Sequence, residues 1–168
     1  STGFPNLGGA DFDCYLVRKI VENFKGKTGA DPTSSSAAMH NLTREAEKAK
    51  IRLSTEKETD IIIPNFYNNF DLRYHLTREE FESICDDLFK KSESPLHELF
   101  DESTNKEEIK TVILSGGCTK MPRVQSILKE FFGEDVEFYY ADDAVARGVA
   151  MQGAIIKGDF QGVSITDA

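Results

Sequence analysis

The sequence predicts an α/β fold. Two stretches in the second half each read as a strand that runs into a short turn and then a helix. In the first half, two long helical stripes are followed by a hairpin pattern. Strands interleaved with amphipathic helices argue for sheets backed by helices.

A first helix is predicted from about Asp11 to Lys25, because Phe12, Leu16, Ile20 and Phe24 recur every fourth residue and Val17 and Val21 widen the stripe. Gly26 and Gly29 are expected to end it. Asp31–Ser36 is a polar loop. A second helix is predicted from Ala37 to Ser54, with Leu42, Ala46, Ala49 and Leu53 on one face. Glu47, Lys50 and Ser54 form a polar stripe beside it. Such a stripe is ordinarily a solvated face, but it is also what lines a cleft.

Asp60–Ile63, followed by Pro64, reads as a buried strand. Asn65–Asn69 is the expected turn, and Asp71–Leu76 the partner strand, with Leu72, Tyr74 and Leu76 on one side. Thr77 and Glu80 have capping-box spacing, in which hydroxyl and carboxylate satisfy each other's orphan amides. The helix they start carries Phe81, Ile84, Leu88 and Phe89. Ser94-Pro95 is expected to restart a further helix, with Pro95 in its first position.

Thr111–Ser115 is a short β-branched run that stops at Gly116-Gly117-Cys118-Thr119-Lys120. Met121-Pro122 then opens a helix with Val124, Leu128 and Phe131 on one face. The same order returns with a strand at Val136–Tyr140, an N-cap from Asp142-Asp143, and a helix from Ala144 to Lys157. Gly148 suggests close packing of that helix, and Gly162–Ile165 reads as the start of another strand.

The chain has 168 residues, room for one ordinary domain or two small lobes. Its 20 basic and 29 acidic residues give a net charge of −9, which argues against a dedicated nucleic-acid binder and against a basic membrane-surface protein. Apolar runs such as Thr111–Leu114 and Ala154–Ile156 are too short to span a bilayer. Cys14, Cys85 and Cys118 are widely spaced and fit neither a disulfide framework nor a zinc pattern, so reduced thiols in an intracellular compartment are expected. His40, His75 and His97 are scattered and read as structural or surface residues.

A strand, a Gly-Gly turn and a helix can hold a phosphate or nucleoside, since glycines admit the ligand to the backbone and helix amides favour anionic oxygens. Two such turns can converge on one crevice off the carboxyl ends of the strands. Gly-Gly alone is a weak signal, and neither GxGxxG nor a P-loop is present. No hydrolytic constellation is visible: Ser115 lacks a GxSxG context. Lys48, Lys50 and Arg52 alternate with Glu45 and Glu47, as on a mixed-charge helix surface.

Taken together, these stretches resemble the 70-kDa heat-shock chaperones. Leu7-Gly8-Gly9-Ala10-Asp11-Phe12-Asp13 is similar to the family's Leu-Gly-Gly-Glu-Asp-Phe-Asp, and Ala46–Ser54 to its adenosine-contacting helix. Gly116–Pro122 is similar to its Gly-Gly-Ser-Thr-Arg-Ile/Met-Pro turn, and Asp142–Gly148 to Asp-Glu-Ala-Val-Ala-x-Gly. Order and spacing agree over nearly the whole chain. Ala46–Ile51 and Phe131-Phe132-Gly133 look closest to the DnaK-like bacterial and mitochondrial branch.

The resemblance implies an actin-like ATPase (ribonuclease H-like) lobe II fragment, an incomplete large subdomain with an inserted smaller α/β subdomain. Residues 8–91 would be the inserted subdomain. Residues 1–7 and 92–160 would belong to the larger one, and residues 161–168 would lead to the interdomain linker. The family's phosphate loop, catalytic lysine and Mg²⁺-associated carboxylates would precede this chain, and the peptide-binding domain would follow it. The parent would be a chaperone ATPase of the stress response, with this piece alone inactive.

By the same resemblance, ATP or ADP is the expected cofactor, with Mg²⁺ held mostly outside this chain. Glu47 and Lys50 would hydrogen-bond the ribose, and Ser54 would read the adenine edge, with Ile51 beside them. Gly116, Gly117, Cys118 and Thr119 would bring backbone to the ribose and α-phosphate. Lys120 would lie over the adenine, with Asp142 nearby. Cys118 replaces the usual serine, Lys120 the usual arginine, and Arg147 the common Tyr or Ile; Ile51 stands where eukaryotic cytosolic members have a second arginine. Expected partners are nucleotide-exchange factors, J-domain co-chaperones and unfolded polypeptide through the absent C-terminal domain, in the cytoplasm or a mitochondrion-like compartment. The alternatives are a non-catalytic module gripped by exchange factors, or a sugar or acetate kinase of the actin-like superfamily.

Overall fold

The structure, a computed structural model, describes residues 2–100 and 108–159. The strand expected at Gly162–Ile165 and the approach to a linker lie outside the described residues. The order of elements is α1 (Gly9–Thr28), α2 (Ser36–Arg52), β1 (Glu58–Tyr67), β2 (Phe70–Thr77), α3 (Arg78–Ile84), α4 (Asp86–Leu99), β3 (Thr111–Leu114), α5 (Pro122–Phe132), β4 (Glu137–Tyr140) and α6 (Ala144–Lys157). Among the described residues this is a mixed α/β chain with two two-stranded sheets, β1–β2 antiparallel and β3–β4 parallel.

Each helix end has a local cause. α1 runs through Gly26 and stops at Gly29, whose φ of 71° is the left-handed cap that glycine adopts without a Cβ clash. α2 is capped by Ser35, whose hydroxyl accepts from the Ala38 amide at 3.3 Å. It ends at Arg52, so Ser54 lies in the following turn and not on the helix.

The hairpin differs from expectation at its tip. Pairing extends to Tyr67↔Phe70, past an irregularity between Ile63 and Tyr67. Pro64, which has no N–H to give a ladder, is absorbed there. The loop is Asn68-Asn69, with φ of 50° and 62°, the left-handed pair that suits a two-residue hairpin. Ile61 faces Tyr74 and Ile63 faces Leu72 on the buried side, while Asp60 faces His75 outside.

Two further expectations are corrected. Only half of the capping box forms. Thr77 Oγ1 accepts from the Glu80 amide at 3.1 Å, but the Glu80 carboxylate is taken by the Tyr74 hydroxyl at 2.7 Å. The helix break falls at Cys85, and α4 passes through Pro95. Proline removes one N–H from the helix ladder. Beyond it, His97 and Phe100 are held against α5 by ring contacts to Phe131 at 5.2 and 5.6 Å.

One core joins the first helices, the hairpin and α3–α4. It includes Leu16, Ile20, Leu42, Ile61, Leu76, Phe81 and Phe89, and it is extended by Met121 and Ile127 beyond the Gly-Gly turn. Burying each such side chain contributes roughly 1.5–3 kcal/mol. The β3–β4 sheet and α6 are different: Ile113, Tyr139, Val145, Val149 and Ile156 are all exposed. A Cβ on Gly148 would meet nothing within 4 Å, so the close packing expected there is not present among the described residues. Nor does Asp143 cap α6 with its side chain; that carboxylate accepts from Arg147 Nε at 2.7 Å.

Candidate functional site

The start of α1 is the floor of the site. Gly8 donates its amide to the Asp11 carboxylate at 2.8 Å, which fixes where the helix begins. One turn further in, Asp13 points into the protein and is 7% exposed. The last turn of α2 crosses above it. Lys50 reaches back so that its Nζ donates to Asp13 Oδ2 at 2.7 Å and to the Gly9 carbonyl at 2.9 Å.

The Gly-Gly turn closes on the same spot. β3 ends at Leu114, and Gly116 follows with φ of 98°, a backbone state that suits glycine. Gly117–Lys120 forms one 3-10 turn, tied by Thr119 Oγ1 donating to the Gly116 carbonyl at 2.6 Å and by Gln125 Nε2 donating to the Thr119 carbonyl at 3.1 Å. Buried Met121 anchors its far end. A Cβ on Gly9 would stand 3.2 Å from Lys50 Nζ and 3.4 Å from Cys118 Sγ. The helix lysine and the turn cysteine are therefore near neighbours across a glycine.

The second turn joins the first. β3 and β4 run parallel, and the Ala141 amide donates to the Leu114 carbonyl at 2.8 Å, so both strands end side by side. Lys120 then bridges to Asp142, Nζ to Oδ2 at 2.7 Å. A hollow of about 700 Å³ lined by Thr111, Glu137 and Phe132 lies at the opposite end of this sheet, away from the carboxyl ends where α/β ligands bind.

Charge is concentrated under the turn. Burial raises the Asp13 pKa against the pull of Lys50, and the charge of Glu47 adds to the rise. Burial also raises the Cys118 thiol, with Lys50 pulling it down and Asp13 pushing it up. Glu47 is exposed and its side chain makes no hydrogen bond among the described residues, and Ile51 is 61% exposed. Ser54 is half-buried in a turn pinned by Arg78, which donates to the carbonyls of Leu53 at 2.8 Å and Glu56 at 2.6 Å.

The model of the Hsp70 protein family matches residues 1–168. The chain belongs to the Hsp70 family. It is also similar to the chaperone protein DnaK of Buchnera aphidicola subsp. Schizaphis graminum (strain Sg), at 39% identity over 173 residues, covering 99% of this chain and 27% of that protein. The chain thus spans about a quarter of that relative's length.

In this Hsp70 chain the structure brings Lys50 to Cys118, and Lys120 to Asp142. Gly9 and Asp13 stand in the sequence reading only as part of the Leu7–Asp13 motif, with no site role of their own. Asp13 had a visible signal: it extends the buried stripe of Val17, Ile20 and Phe24, where a carboxylate is out of place. Gly9 had none, because its role is the space it leaves. Among the described residues no three of His, Cys, Asp and Glu come together to hold a metal, and no helix is long and apolar enough to cross a membrane.

Proposed function

We propose that this chain is the adenosine-binding half of the ATPase domain of a DnaK-like chaperone, the later part of an actin-like lobe II. The observation that carries this is the meeting of α2 and the Gly116–Lys120 turn at Gly9, with Lys50 and Cys118 on either side of it. Lys50 has three N–H donors and commits two, to Asp13 and Gly9. One remains for a ribose oxygen. The unpaired carboxylate of Glu47, one turn earlier, is an acceptor suited to a ribose hydroxyl. Gly116 and Gly117 carry no side chain to block the approach of the nucleotide to the turn. Ser54 would read the adenine edge, with Ile51 beside it, and Thr119, Lys120 and Asp142 would close the far side.

The division into an inserted subdomain at 8–91, a larger one at 1–7 and 92–160, and a linker approach at 161–168 belongs to this reading. The exposure of Ile113 and Tyr139 on the parallel β3–β4 pair, and of Val149 on α6, supports it, since a parallel sheet is ordinarily covered on both faces by the rest of its domain. ATP bound across two lobes would supply the energy for capturing and releasing unfolded polypeptide, with J-domain proteins and exchange factors as partners. Magnesium would be held by residues outside this chain. No residue here is assigned to phosphoryl transfer, so the 168-residue chain alone is expected to release no phosphate.

Calorimetric titration of ADP and GDP into the full-length polypeptide tests the reading. Binding of ADP in preference to GDP, weakened by Lys50→Met and by Glu47→Ala, is expected. Equal affinity for both nucleotides, or indifference to both substitutions, would overturn it. Steady magnesium-dependent phosphate release by the isolated chain would overturn the assignment of catalysis elsewhere.

A further inference from the structure

Lysines at helix surfaces normally extend their heads into water. Lys48, on the same helix, does so: its side chain is 54% exposed and pairs locally with Glu45. Lys50 does the opposite. It is 9% exposed and bonds residues 37 and 41 positions away in sequence. Immobilising such a side chain costs rotamer entropy, and burying its charge costs more.

The counter-charge is equally out of place. Asp13 is the one buried carboxylate among the described residues. Its Oδ1 is buried with no hydrogen-bond partner, so its side-chain bond is to Lys50 through Oδ2 alone. A buried pair of this kind seldom stabilises a fold more than well-packed apolar residues would. What it does provide is a fixed position for an ammonium. Gly9 leaves the space for that ammonium, and Cys118 of the phosphate-side turn borders it.

We infer that Asp13 is the positioning residue of the nucleotide site: its carboxylate holds the Lys50 ammonium at the junction of α1, α2 and the Gly116–Lys120 turn, leaving one N–H for the ligand. The inference rests on the adenosine reading above. Asp13 is itself sealed from ligand, so it acts only through Lys50.

The test is a double-mutant cycle on ADP affinity, measured by calorimetry in the full-length polypeptide with circular dichroism as the check on folding. Lys50→Met and Asp13→Asn should each weaken ADP by about tenfold or more, the loss of one charge-assisted hydrogen bond. The double variant should bind no worse than Lys50→Met alone, because Asp13 has nothing left to position. Asp13→Glu should recover part of the affinity. If Asp13 were only structural, its effect would persist when Lys50 is gone and the two losses would multiply, which overturns the inference. Wild-type affinity in Asp13→Asn beside a weakened Lys50→Met also overturns it and leaves the adenosine reading intact. Unchanged affinity in Lys50→Met overturns the inference, and if Glu47→Ala is equally without effect the adenosine reading falls with it. If Asp13→Asn does not fold, comparing Lys50→Met with the double variant decides: equal affinity supports the inference, and a further loss overturns it.

Discussion

Lys50 Nζ lies 2.7 Å from Asp13 Oδ2, with the two side chains only 10% and 9% exposed. The pair joins the end of α2 to the start of α1 beneath the Gly-Gly turn. Its electrostatics are a contest that burial wins, since the Asp13 pKa is raised despite the lysine. A raised folded pKa means the stabilising contribution is full below the ordinary carboxylate value of 3.8 and is lost as pH rises through the folded value. At neutral pH the ionised carboxylate is therefore carried at some expense to the fold.

Removing one partner should be worse than removing both. Lys50→Met leaves a buried carboxylate alone and is expected to lower stability by about 3 kcal/mol. Asp13→Asn combined with Lys50→Met should recover most of that. Urea unfolding midpoints of the three proteins measure it, and a double variant less stable than Lys50→Met would contradict the account.

The Lys120–Asp142 bridge is exposed, 52% and 65% at the two side chains, so it should matter little to stability. Lys120→Ala is expected to change unfolding free energy by less than about 1 kcal/mol. Lys120→Arg should tighten ADP by roughly threefold, because a planar guanidinium stacks on an adenine face and an ammonium does not. Titration calorimetry on both variants checks this.

Gly9→Ala separates space from stability. The added Cβ would meet the flexible end of Lys50 at 3.2 Å and Cys118 at 3.4 Å. Thermal unfolding should barely change. Affinity for ADP should fall by roughly threefold as the ammonium is pushed aside, since loss of part of a hydrogen bond is worth about that much.

The three thiols should react in a fixed order. Cys14 is exposed, Cys118 intermediate and Cys85 buried. Burial pushes the Cys85 thiol up to about 12, so it should resist a disulfide reagent at neutral pH until the protein unfolds. Because this pKa is raised on folding, the associated stability is present below the ordinary thiol value of 9.0 and is lost as pH climbs from there towards about 12. Timed thiol labelling, with unfolding midpoints between those pH values, tests both statements.

Asn69 sits at φ of 62° in the hairpin loop. Asn69→Gly should raise stability by about 0.5 kcal/mol, because glycine takes that conformation without strain. A lower melting temperature would refute the loop assignment.

The periodic elements were legible in the residues themselves. The fourfold spacing of Phe12, Leu16, Ile20 and Phe24 gave α1, the alternation of Leu72, Tyr74 and Leu76 gave β2, and the β-branched run before Gly116 gave β3. Local chemistry misled where a tertiary contact outbid it. Glu80 left the capping box for Tyr74, and Pro95 did not restart a helix whose far end is held by Phe131.

What the sequence determined by itself was the order of the helices and strands from α1 to β2 and from β3 to α6, because periodicity and turn residues act within a few positions. Only the tertiary structure decided that Asp13 belongs with Lys50 and that Gly9 makes room for Cys118. Those partners are far apart along the chain and meet only after the helices pack, and no local pattern encodes which buried charge will find which.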